Sequence, residues 1–76
     1  MADGLLERLR AHIEAQPGTY DSKRALEACR AIGFYCTIQR ARVTLKATAE
    51  RYPGLLVAVE GTRWTWETPR PESEES

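Results

Sequence analysis

The sequence predicts one small α+β domain, three amphipathic helices followed by a C-terminal β-hairpin. Apolar residues recur every three or four positions in three stretches, which Pro17-Gly18, Gly33 and Pro53-Gly54 cut apart. After the last break Leu55–Val59 is continuously apolar and Arg63–Glu67 alternates with period two, around a Glu60-Gly61-Thr62 turn. Seventy-six residues hold a single domain with a small core. Residues 1–69 carry the pattern. Residues 70–76, RPESEES, have nothing to bury and read as a disordered acidic tail.

In the first helix Asp3 is the expected N-cap and Gln16 the approximate end. Leu5, Leu6, Leu9 and Ile13 share one face, with Glu7, Arg8, Arg10 and Glu14 on the other and His12 at the border. Proline cannot continue the hydrogen-bond ladder, so the helix stops at Pro17-Gly18. Thr19-Tyr20 is a short extended segment fit to pair with a later strand. Asp21 and Ser22 offer capping oxygens to a second helix, Lys23 to about Ile32. Its inward residues are Ala25, Leu26, Cys29 and Ile32, leaving Lys23, Arg24, Glu27 and Arg30 to face solvent or a phosphate backbone.

Gly33 allows a sharp turn, after which Phe34 is expected to pack between helices. The third helix starts at Thr37 or Cys36 and reaches Glu50 or Arg51 before Tyr52-Pro53-Gly54 stops it. Ile38, Ala41, Leu45, Thr48, Ala49 and Tyr52 form its inward ridge. Gln39, Arg40, Val43 and Ala47 lie away from that ridge, and Arg42 and Lys46 flank it. In the hairpin Trp64 and Trp66 fall on one face, where core packing is a better use of them than base stacking.

Eleven Lys/Arg balance eleven Asp/Glu, but the average hides an asymmetry. Residues 1–69 have ten cations and eight acids, and between Ser22 and Lys46 six Lys/Arg meet only Glu27. That is no general polyanion coater; any nucleic acid must be gripped through one local face. No apolar run has the length of a membrane span and the N-terminus lacks a signal peptide's apolar core, so a soluble cytoplasmic protein is expected. Cys29 and Cys36 suit a reducing compartment, and with His12 the sole histidine a zinc site lacks ligands. No catalytic constellation surrounds His12, so neither an enzyme nor a cofactor is expected.

Helix, short strand, helix, turn, helix, hairpin is the order of a winged helix-turn-helix. Ala31-Ile32-Gly33, Thr37-Ile38-Gln39-Arg40-Ala41-Arg42, Leu45, and then Gly61, Trp64-Thr65-Trp66 and Pro69 add detail. Together they resemble the winged-helix module of RepA-like replication ATPases and phage primase-type proteins, over roughly residues 22–69. Phe34-Tyr35-Cys36 makes the turn shorter and bulkier than in that family, and no phosphate loop or acidic metal cluster accompanies the module.

The resemblance implies a DNA-binding fold whose third helix enters the major groove of double-stranded DNA. Thr37, Gln39 and Arg40 would then approach base edges and Val43 a thymine methyl. Arg42 and Lys46 would touch phosphates, Ser22, Lys23 and Arg24 would clamp the backbone, and Arg63 at the wing tip would approach the minor groove. A small phage- or plasmid-type regulator or architectural factor fits this size, acting as a homodimer or by cooperative assembly on DNA. The rival reading is a protein-interaction module that docks a host or replication protein through the same surface.

Overall fold

The computed structural model describes residues 2–69. Helices α1 (Ala2–Ala15), α2 (Ser22–Ala31) and α3 (Ile38–Arg51) share the chain with strands β1 (Thr19–Tyr20), β2 (Val57–Ala58) and β3 (Trp66–Glu67). The strands form one antiparallel sheet in the order β1-β3-β2. Tyr20 and Ala58 both face Trp66 in register, and Thr19 and Val57 both face Glu67. This is the expected α+β winged helix-turn-helix, with the strand between α1 and α2 as the outer partner of the hairpin.

Each helix end has a local cause. The Asp21 carboxylate accepts the Arg24 amide at 2.8 Å, capping α2. At the other end Gly33 takes φ +86°, its amide donates to the Arg30 carbonyl, and the Phe34 amide donates to the Cys29 carbonyl. That pair of bonds closes the last turn, and it returns Phe34 to pack against the core. Thr37 then caps α3, its hydroxyl accepting the Arg40 amide at 3.2 Å. Pro53 and Gly54 follow the end of α3.

The core draws on every layer: Leu9 and Ile13 of α1, Tyr20 of β1, Ala25 and Cys29 of α2, Ala41 and Leu45 of α3, then Leu56 and Trp66. Small side chains at Ala25, Ala28 and Ala41 let the helices come close. Thr44 and Thr48 are buried polar residues, and each returns its hydroxyl to the carbonyl four residues earlier, Arg40 and Thr44 respectively.

Four expectations need correction. Helix α1 begins at Ala2, so Asp3 lies within it and is not its N-cap. Ser22 is already helical, while Ile32 is the C-cap of α2. The α3 ridge is covered only from Ala41 onward; Ile38, first in the helix and at the rim of its contact, is 40% exposed. The paired strands are two residues each: β1 is bounded by the Gly18 turn and α2, and the hairpin ladder itself covers only Val57–Ala58 against Trp66–Glu67. Past Val59, whose amide reaches the Thr65 carbonyl at 3.0 Å, the hairpin continues as a turn rather than a ladder. Trp64 and Trp66 do pack on the core together, ring centroids 6.2 Å apart. The tail, residues 70–76, lies outside the described residues.

Two substitutions separate backbone from packing energies. A Cβ at Gly33 meets nothing within 4 Å, so Gly33→Ala carries only the left-handed backbone cost, ~1–2 kcal/mol. Leu45→Ala empties a fully buried site and costs ~2–5 kcal/mol. Urea unfolding checks both; a larger loss at Gly33 than at Leu45 contradicts this ranking.

Candidate nucleic-acid interface

Arg42 joins three segments. It projects from α3, its Nε donates to Ser22 Oγ at 2.8 Å, and its guanidinium lies 5.7 Å from the centre of the Trp64 ring. One half-buried side chain thus links α3 to the first residue of α2 and to the hairpin. The ring face attracts the cation while the hydroxyl fixes its direction. The Nη groups make no hydrogen bond within the protein among the described residues, so they keep donors for an anion.

The outward face of α3 is centred on Val43, 53% exposed. At ~100° per residue, Gln39, Arg40 and Lys46 all fall within ~60° of Val43. All three are exposed. Arg42 lies ~100° from Val43 on the hairpin side, and Arg40 lies on the opposite flank. Exposed Glu50 shares the outward stripe near the C-terminal end, which confines any anion contact to the first part of α3. Thr37 is exposed with its hydroxyl engaged in the cap, Lys23 is exposed beside Ser22, and Arg63 is exposed at the hairpin turn. The fold therefore gathers Gln39, Arg40, Val43 and Lys46 on one helix face and joins Ser22 and Arg42 at its edge. Lys23 and Arg63 sit on neighbouring segments and, among the described residues, make no side-chain hydrogen bond or ion pair with that face.

Arg24 is the exception. Its guanidinium donates to the Thr19 and Gln16 carbonyls, both at 3.1 Å, and covers the Tyr20 ring at 4.2 Å. Gly18 makes room: a Cβ there would stand 2.6 Å from Arg24 Nη1. This residue fastens the α1–β1 turn to α2 and is not a free phosphate clamp. Helical side chains lean toward the N-terminus, so a long residue in the first turn of α2 lies over the loop before it. That direction was the available signal. Sequence reasoning also missed Trp64 as the ring beneath Arg42, and Tyr35, 75% exposed just ahead of α3.

Two buried groups hold their protons tightly. Burial raises the Tyr20 phenol above its usual value, with the Arg24 charge partly offsetting the rise. Burial, then the neighbouring Cys36 thiol, pushes Cys29 up to about 12. No group of three or more His, Cys, Asp or Glu suited to a metal ion occurs among the described residues.

Arg24→Ala is expected to destabilise the fold by ~1–2 kcal/mol, through lost charged hydrogen bonds in an exposed setting. A thermal melt checks it, and an unchanged midpoint with weakened polyanion binding would restore the clamp. At mildly alkaline pH iodoacetamide should label Cys36 well before buried Cys29. An unfolded cysteine ionises near ~8.5 while folded Cys29 holds its proton to about 12, so this contribution to stability persists below that range and fades as pH rises through it. Equal labelling of the two thiols in the folded protein, followed by mass spectrometry, contradicts this.

No helix among the described residues is long and apolar enough to cross a membrane. Compared with protein-family models, curated proteins and solved structures, the chain finds no match.

Proposed function

We propose that this protein binds double-stranded DNA, with the first part of α3 in the major groove and the hairpin beside the backbone. The observation that carries the reading is Arg42, which ties α2, α3 and Trp64 together at the edge of an exposed face holding Gln39, Arg40 and Lys46. A helix with side chains is ~10–12 Å across and the major groove is ~12 Å wide. Gln39 has the amide pair that reads adenine and Arg40 the fork that reads guanine. Val43 offers an apolar surface to a thymine methyl. Lys23, Arg42, Lys46 and Arg63 supply charge to phosphates, and the Ser22 hydroxyl orients Arg42. A phage- or plasmid-type regulator or architectural factor, dimeric or cooperative on DNA, remains the role that suits so small a reader.

With Arg24 committed to the fold, at most five cations serve the interface, so log K should fall with log salt at a slope no steeper than about −4.5. A second reading has its own support. Tyr35, Ile38 and Val43 are exposed apolar side chains in or just before α3, and the chain has no net charge. A host or replication protein docking there would bind with little dependence on salt.

Fluorescence anisotropy with mixed duplexes tests the proposal. Arg40→Ala is expected to weaken the preferred duplex by ~1–3 kcal/mol and others less, whereas Lys46→Ala weakens all alike and lowers the salt slope by ~1. Wild-type affinity in both variants, or binding indifferent to salt, rejects the DNA reading.

A further inference from the structure

A groove of about 580 Å³ opens between the C-terminal part of α1, the end of α3 and the residues that follow β3. Ile13 and Leu55 contribute its apolar surface, with Pro17, Pro53 and Pro69 among its walls. Among the described residues its charged side chains are Arg10, Glu14 and Arg51. Both arginines lean on a single ring: the Arg10 guanidinium is 5.0 Å and the Arg51 guanidinium 5.5 Å from the centre of Tyr52. Glu14 meets Arg10 at 3.4 Å in an exposed pair, which leaves the groove with one uncompensated positive charge.

We propose that residues 70–76 of this same chain, Arg-Pro-Glu-Ser-Glu-Glu-Ser, dock back into this groove with their glutamates against Arg10 and Arg51. The segment starts at the groove, since Pro69 is itself a lining residue. Three residues of extended chain span ~10 Å, and Arg10 and Arg51 line the same groove as Pro69. Glu72, Glu74 and Glu75 oppose a single cation, Arg70, so the segment complements the groove in charge. Pro71 suits a wall of proline and tyrosine, the surface on which extended proline-containing segments pack.

Tethering matters because each exposed ion pair is weak. A short tether holds the segment at ~mM effective concentration, which populates a contact that a free peptide would make poorly. The ends of α1 and α3 carry partial negative charge at this pole, so attraction has to come from the two guanidinium groups. The inference is independent of DNA binding, because the groove lies at the opposite end of α3 from Thr37.

The test compares the full chain with its E72Q/E74Q/E75Q variant by amide and tyrosine-ring NMR at about 50 mM and about 500 mM NaCl, where screening differs strongly. At low salt the two proteins should differ at residues 10–17, at 51–55 and at the Tyr52 ring, and the differences should shrink at high salt. Arg51→Glu in the full chain should shift residues 72–75 in turn. Differences confined to 70–76, or centred on Gln39 to Lys46, overturn the proposal. Shifts that grow with protein concentration overturn it too, by assigning the groove to the segment of a second copy.

Discussion

The hairpin is held to the helices by the pairing of Tyr20 with Trp66, and the rest of the fold depends on it. Tyr20 is fully buried, and its hydroxyl donates to the Gln16 carbonyl at 2.6 Å, satisfying an acceptor beyond the last turn of α1. On its strand edge it meets Trp66, which is also the register partner of Ala58. Thr68 and Gly18 extend the contact: the Thr68 amide donates to the Gly18 carbonyl, and the Gly18 amide to the Thr68 hydroxyl. A two-stranded hairpin alone is marginal in water. The third strand, two residues long, makes β3 a central strand and gives the hairpin a fixed place.

From that anchor the position of α3 follows. Trp64 lies two residues before Trp66 and packs on the same core, so its ring is set where Arg42 reaches it. Arg42 in turn holds Ser22 at the start of α2, whose far end is locked to the turn by the Gly33 and Phe34 amides. The helix-turn-helix is thus tied at both ends of α2. Burial at Ala41, Leu45 and Thr48 sets the rotation of α3, and its outward stripe is what remains.

Helix limits were legible in the sequence because single residues impose them: Pro17, Asp21, Gly33, Thr37 and Pro53 each act through local geometry. The early strand was legible too, from two residues of β character between a turn and a cap. What failed depended on the third dimension. The hairpin passes into its turn at Val59, and the alternation of Arg63–Glu67 does not register where pairing with Leu55–Val59 stops. Ile38 has the right spacing for the ridge but lies at its rim, which periodicity does not register. Arg24 shows the limit most clearly. Its charge counts toward a basic cluster, yet two carbonyls and a tyrosine ring hold it to the fold. Of the candidate site, Gln39, Arg40, Val43 and Lys46 could be grouped from the helical wheel; the union of Ser22, Arg42 and Trp64 could not.

Charge then limits how the outward face works. Five cations on separate segments, in a chain of zero net charge, give a modest electrostatic pull that physiological salt screens over ~8 Å. Glu50 on the same stripe opposes an anion along the last turns of α3, so contact is concentrated near Gln39 and Val43. A surface of that kind gains little from polyanions in general. Its free energy has to come from side chains matched to a partner in shape and hydrogen bonding, a demand that a rigidly placed α3 can meet and a loosely held one cannot. The rigid placement of this face therefore rests on Arg42, Trp64 and the Tyr20–Trp66 pair, which fix α3 from behind its outward stripe.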